Sequence, residues 1–587
     1  MGNYYDFAGR RINIPGTYVK RVFPDNSSAG AITGRVVIMG EAKNGGIPFD
    51  AFESVEDVLN IVSDPTQAKN VFGGGDLYYG AEFYLTPTTD ERFNKPQSAI
   101  CLVVNQMTQA EINLKDSGAN NILVLKSKKF GTDGNLYAIK LSAGSNTGKM
   151  VEVLYKGESV LKKDDVQLPL FDIRYIGTGS VATMSITATK ITTTVTGTTG
   201  EDLDITLADY TDLGSLINFI NNNPAYTCTL SGKSDEKADV FDIVTAQDIK
   251  TAEYSVVGTV EAIIRQLSSL EDLDVTFASG ATRVIPANLT SFEYFSGGSV
   301  SAATTQNWTD AFEKLKKYQL NNIVVMSGSE TIHQLAKAHV EAMNDIEIRR
   351  YRQCGFGAGS SVNTKALRIK EMKSLNSAYV EYCVSEFDRF DYISGERRTF
   401  EPYYLYALVA GLRYANNVGM DIVFKYLNVL STPEVERSDI SDYLDAGATL
   451  IQKSDDATSG NLFTIVGNNT TFQGSQVTRT NPAVVYMVNV LTKDQELKIT
   501  EEIRKLDEVA NSVIIAKIQN WLITELYPYY KNVKKWITDA PNGQKAFDRV
   551  EFSISGEVFT AKAVLTMSVT PRFAFITNEF IVPGQTI

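Results

Sequence analysis

The chain has 587 residues, with 56 Lys and Arg against 69 Asp and Glu, a formal net charge of −13 and 43 % hydrophobic residues. A chain this long divides its apolar residues among several cores. Basic runs are short, such as Lys126 to Lys129, so a direct nucleic-acid partner, which asks for clustered cations, is not expected.

Taken from the start, residues 1–20 read as an extended arm in which Pro15 and Gly16 turn the chain into the β-prone Thr17, Tyr18 and Val19. No apolar signal core occurs at this end and no run of 18 apolar residues anywhere, so synthesis in a cytoplasm and no membrane insertion are expected. Gly2 is not followed by Ser or Thr at position 6, which is Asp6, so the myristoylation pattern fails.

An α/β region is expected over 21–130, with a buried strand over 35–40, a short helix opened by Ser54, a loop at Gly73, Gly74 and Gly75, and strands over 98–104 and 121–125. From 131 to 300 threonine and glycine rise and short strands alternate, which points to one or two inserted β-rich domains, with helical patches over 215–221 and 260–270. A cleaner α/β rhythm returns over 301–350. Thr304 or Thr305 caps a helix carrying Trp308, Ala311, Phe312 and Leu315, a strand covers 322–326, and a second helix carries Ile332, Ala336, His339 and Val340. Pro402 leads an apolar helix to Tyr414, and 433–445 is an acidic stretch with Glu434, Glu436, Asp439, Asp442 and Asp445. A long helix or helix pair is expected over 493–528, with Thr492 and Gln495 at capping-box spacing. Strands close the chain over 550–555, 563–568 and 574–576.

Chemistry leaves no constellation. His333 and His339 are six apart, without the i, i+4 spacing or the glutamate of a zinc-protease helix. The stretch 355–360 gives two glycines of a dinucleotide fingerprint but ends in Ser360, and 143–150 misses a P-loop at Ala143 and Met150. No GxSxG elbow is present. The four cysteines, Cys101, Cys228, Cys354 and Cys383, are far apart and lack CxxC spacing, so buried thiols are expected. No catalytic residue, cofactor or metal is therefore assigned, although 69 acidic residues always offer some carboxylate pair.

Several segments in order resemble one family, the tail sheath proteins of contractile phage tails, and in particular the long sheath proteins of large Twort-like staphylococcal phages. Pro15-Gly16-Thr17-Tyr18-Val19 resembles their PG(V/T)Y(V/I) opening. Lys129 to Asn135 resembles their YGxWGN turn, with Asp133 in place of the usual aromatic. Phe295-Ser296-Gly297-Gly298 with the following helix and strand resembles their LxGG succession. The stretch from Pro402 to Gly411 resembles their proline-led VAG helix, and Arg479 to Trp521 their late arginine and long helix.

The resemblance implies a multidomain α/β chain with a discontinuous α+β sheath core built from N-terminal and C-terminal segments, inserted β-rich domains and extended terminal arms. Its parts would be an arm over 1–20, α/β regions over 21–130 and 301–350, the insert over 131–300, the C-terminal core over 351–573 and an arm over 574–587. It implies a structural protein of the virion tail, assembled in the host cytoplasm. Its partners would be further copies of itself in stacked hexameric rings, the tail tube protein, baseplate proteins and a tail terminator at the neck. The arms, Ile14, Pro15, Gly16, Thr17, Tyr18 and Val19 at one end and Ala574, Phe575, Ile576, Phe580, Ile581 and Val582 at the other, would add strands to neighbouring subunits. The alternative for both is an edge strand of their own domain. Glu396, Arg397, Arg398, Glu434, Asp439 and Asp442 are candidate lattice contacts, and solvated surface charge is the alternative for them. A virion glycan hydrolase, an adhesin and a baseplate component remain the competing functional readings.

Overall fold

The structure is a computed structural model that describes residues 5–7, 10–12, 35–454, 462–505, 511–540, 543–555 and 558–568. The arm residues Ile14 to Val19 and Ala574 to Val582 lie outside the described residues. Upstream of the first set, Tyr5–Phe7 and Arg10–Ile12 pair as a small antiparallel hairpin.

Two compact units form. One takes residues 1–106 and 302–587, and the other takes 107–301, inserted in sequence between them. The composition change at 131 falls inside the insert, because strands Met107–Lys115 and Asn121–Phe130 already pair there.

The first unit is built on a nine-stranded sheet. From one edge its strands are Tyr426–Leu427, Phe463–Asn468, Ala448–Lys453, Val380–Cys383, Gln353–Gly357, Asn322–Val325, Val36–Gly40, Ala99–Val103 and Asn60–Val62. The six from Ala448–Lys453 to Ala99–Val103 run parallel, and an antiparallel strand flanks them on each side. Central strands such as Val36–Gly40 and Gln353–Gly357 are buried throughout, as expected when helices cover both faces of a parallel sheet. On one face Val37, Met39, Ile323 and Val325 pack with Trp308, Phe312 and Ile332 from helices Thr305–Leu315 and Glu330–Met343. Helices Gly75–Leu85 and Pro402–Tyr414 pack together and against the sheet as well.

Local chemistry explains where these helices begin. Thr304 caps its helix with a full capping box whose third residue is Asn307, and Pro402 occupies a first-turn position where its missing N–H costs nothing. The expected capping box at Thr492 and Gln495 is not one. Both are buried inside helix Pro482–Arg504, whose cap is Asn481 followed by Pro482, and the Thr492 hydroxyl donates to the Val488 carbonyl at 2.6 Å. Helix Gly75–Leu85 carries no helical signal in the sequence pattern. From Leu77 to Leu85 every residue is buried, so no polar face marks its period. The acidic stretch contains a short helix, Arg437–Asp445.

The inserted unit holds two cores. Ala110, Leu125, Ile139, Val151, Ile263 and Phe295 belong to one, and Leu170, Ile173, Met184, Ile217 and Val256 to the other. The second lies in sequence within the first, an insertion inside an insertion. Its sheets are antiparallel, with Val181–Ile186 at the centre of a Thr-rich ladder.

Candidate functional site

An open parallel sheet binds ligands most readily at the carboxyl ends of its strands, where the strand order reverses. Here the reversal lies between Val36–Gly40, from which the chain steps outward to Ala99–Val103, and Asn322–Val325, from which it steps the other way. The loops at that point close on one another. Leu77 N donates to the Glu41 carbonyl at 3.0 Å, and a Cβ on Gly75 (φ +82°) would stand 2.7 Å from Lys43 N. A Cβ on Gly328 would stand 2.4 Å from the Gly359 Cα. At these two points the loop backbones lie too close together to admit a side chain. Burial raises the carboxyls of Glu41, Asp76 and Glu401 above their ordinary range, and Asp76 accepts the Tyr404 hydroxyl. Among the described residues no three His, Cys, Asp or Glu side chains form a metal-binding set.

The two histidines are structural. His333 is buried, with Nδ1 against the Glu371 carboxyl at 2.5 Å, Nε2 against the Ser327 carbonyl at 2.7 Å and its ring stacked on Phe356 at 4.0 Å. Neither nitrogen is left for a ligand. His339 accepts from Arg352 Nη1 at 3.2 Å, and burial, with the Arg352 charge behind it, pushes its imidazole down to about 3. The near-fingerprint at 355–360 begins in a central strand, where a Cβ on Gly355 would enter the Tyr406 ring. Its glycine serves helix-on-sheet packing.

This unit also encloses the Arg413–Glu381 ion pair, both side chains fully buried. Arg413 also donates to Asn468, whose Nδ2 donates to Glu381 Oε2 at 2.9 Å and to Thr449 at 2.8 Å. Tyr406 donates to Glu381 at 3.0 Å, and Asn322 donates to Tyr406 and Tyr414 at 2.7 and 2.8 Å. Four strands and one helix are tied together here, far apart in sequence and invisible to any local pattern.

The predicted surface charges fall in two places. Glu396, Arg397 and Arg398 stand on hairpin Phe387–Asp391/Glu396–Phe400. The Arg397 Nε donates to Asp388 at 2.9 Å, and the hydroxyls of Ser431 and Thr399, with Arg397, hold Asp388 down to about 2. Arg398 lies 5.0 Å over the Tyr79 ring and 4.9 Å over that of Phe400. Asp439 and Asp442 share Lys365, the first at 2.6 Å, and Glu434 is exposed. Arg397, Asp439 and Asp442 thus already have partners within the chain.

The last described element differs from all of these. Strands Phe547–Ser555 and Val558–Leu565 form a two-stranded antiparallel sheet with no third strand among the described residues. Glu551, Ser553, Ala561 and Lys562 are exposed and Ala563, Val564 and Leu565 half-buried. Among the described residues, the outer edge of each strand has no strand paired to its backbone donors and acceptors. The sequence marked strands here, but not that they would pair only with each other among the described residues.

Relatives agree with the resemblance read from the motifs. No protein-family model matches the chain. A tail sheath protein of Bacillus phage SP01 is 25% identical over 448 residues, covering 73% of this chain and 72% of that protein. A tail sheath protein of Staphylococcus phage Twort is 23% identical over 442 residues, covering 70% and 73%. Among solved structures, the sheath tail protein from Desulfitobacterium hafniense superposes with a TM-score of 0.51 at 13% identity, over 94% of this chain and 100% of that one. The chain is similar to tail sheath proteins in sequence and shares the fold of one.

Proposed function

We propose that this chain is the subunit of a contractile tail sheath. It polymerises as stacked hexameric rings around a tail tube and contracts to drive the tube through the host envelope. The similarity to two phage tail sheath proteins over about seven-tenths of the chain carries this reading.

The physical support for the linkage is the Phe547–Ser555/Val558–Leu565 hairpin. Among the described residues it has two strands only, and a two-stranded sheet is marginal in water and gains most from added strands. Residues 14–19 and 574–582 of neighbouring copies are the strands to add, since backbone hydrogen bonds keep two subunits tied while the rest of each rotates. The free energy for contraction would come from repacking between two lattices, with no nucleotide required. The surface around Glu396, Arg397 and Arg398, and that around Glu434, Asp439 and Asp442, would be lattice contacts that change between those states.

Electron microscopy of the purified full chain, beside a version lacking residues 1–20, tests the proposal. Tubes or stacked rings from the full chain alone are the expected result. Compact monomers from both at high concentration would overturn it.

A further inference from the structure

The inserted unit carries a cleft of about 770 Å³ that the sheath reading does not use. It lies where the segment 287–297 leaves the edge of strand Met107–Lys115. At one end Glu111 and Ser296 exchange backbone hydrogen bonds of 2.9 and 3.0 Å, and at the other Ala287 N donates to the Lys115 carbonyl at 2.7 Å. Between those two points Glu293 and Tyr294 pair instead with Ile139 and Ala138 of strand Tyr137–Ala143. The ladder alternates, so the N–H and C=O of Asn113, two residues from Glu111, face the gap.

The lining is mixed in a particular way. Asn113 supplies an amide, Gln109 the oxygen of one whose Nε2 donates to the Lys128 carbonyl at 3.3 Å, Glu111 and Glu293 carboxylates, Lys115 an ammonium, and Tyr294 a ring. Tyr294 is 61% exposed. Ile112 and Leu289 add apolar surface. Two carboxylates against one ammonium disfavour an anion such as a phosphate. A wholly apolar ligand would strand the amides and the open backbone pair. What fits is a neutral molecule with many hydroxyls around a ring whose C–H face can lie on an aromatic side chain. Planar amides and carboxylates pair with adjacent hydroxyls, and the exposed ring takes the apolar face.

We propose that this cleft is a binding site for neutral saccharides, independent of whether the chain forms a sheath. The inserted unit would then hold a glycan while the rest of the chain does other work.

The test uses the full chain and defined probes: the tetramer of N-acetylglucosamine, maltohexaose and, as an anionic control, glucose 6-phosphate. Saturation-transfer NMR and titration calorimetry read binding. At least one neutral probe should bind at millimolar concentration or tighter. Tyr294→Ala should weaken it about tenfold and Tyr294→Phe should leave it nearly intact, the scale of a lost ring contact. Asn113→Asp should weaken it too. Near-UV circular dichroism confirms the fold of each variant, which an exposed tyrosine should not disturb. Absence of binding by both neutral probes, binding unchanged by Tyr294→Ala, or a preference for the phosphate would each overturn the proposal.

Discussion

The centre of the nine-stranded sheet and the hairpin at 547–565 belong to one unit and follow opposite rules. In the centre Arg413, Glu381, Asn468 and Tyr406 are entirely enclosed and joined by hydrogen bonds. In the hairpin, residues such as Ser553 and Ala561 lie in the open, and one backbone edge of each strand lacks a neighbouring strand among the described residues. A body that must keep its shape closes its polar groups on themselves. A segment proposed to hold other chains leaves them open. The difference teaches that, on the proposed function, stability and linkage would be assigned to separate places in this fold.

The largest effect should come from opening the centre. Arg413→Met would leave Glu381 as an uncompensated buried charge, which destabilises by about 3–5 kcal/mol. Calorimetry should show the unit's melting transition falling sharply, while the same change at exposed Arg397 should not move it comparably.

A smaller, pH-dependent effect should mark the join between helix Gly75–Leu85 and hairpin Phe387–Asp391/Glu396–Phe400. Glu82 lies 3.2 Å from Arg389, yet burial pushes its carboxyl up to about 7. Its folded value is above its unfolded one, so the stability it contributes is present below about pH 4.5 and lost as pH rises through about 7. Glu82→Gln should flatten this part of the melting temperature's pH profile between about pH 5 and 8. An unchanged profile would place the titration elsewhere.

The smallest effect belongs to the surface. Lys365→Ala removes the shared partner of Asp439 and Asp442, and the melting temperature should stay where it is, because exposed ion pairs contribute little. If the 434–445 surface is a lattice contact, the same variant should shift the salt concentration at which the polymer forms. A polymer indifferent to it would remove Asp439 and Asp442 from the list of contacts.

How much of this was legible depended on the range of the signal. The Thr304 cap and the Pro402 start were readable because each rests on residues within one helical turn. Helix Gly75–Leu85 was hidden by its own burial, having no polar face to set a period. Thr492 and Gln495 imitated a cap by spacing alone, while Asn481 and Pro482 held the true one. The Arg413–Glu381 pair joins residues 32 apart through a sheet, and no local pattern announces it. Of the surface charges, composition found the places, and the structure added that Asp388 and Lys365 already pair with several of them.

Hydrogen exchange at the backbone amides of Phe547–Ser555 and Val558–Leu565 bears on the central claim most directly, read in the polymer and in the dispersed subunit. Outer-edge amides that are protected in the polymer and exchange rapidly in the subunit are the predicted result, with protection lost when residues 1–20 or 574–587 are removed. Equal exchange in both states would contradict the account, since the hairpin would then hold no neighbouring strand.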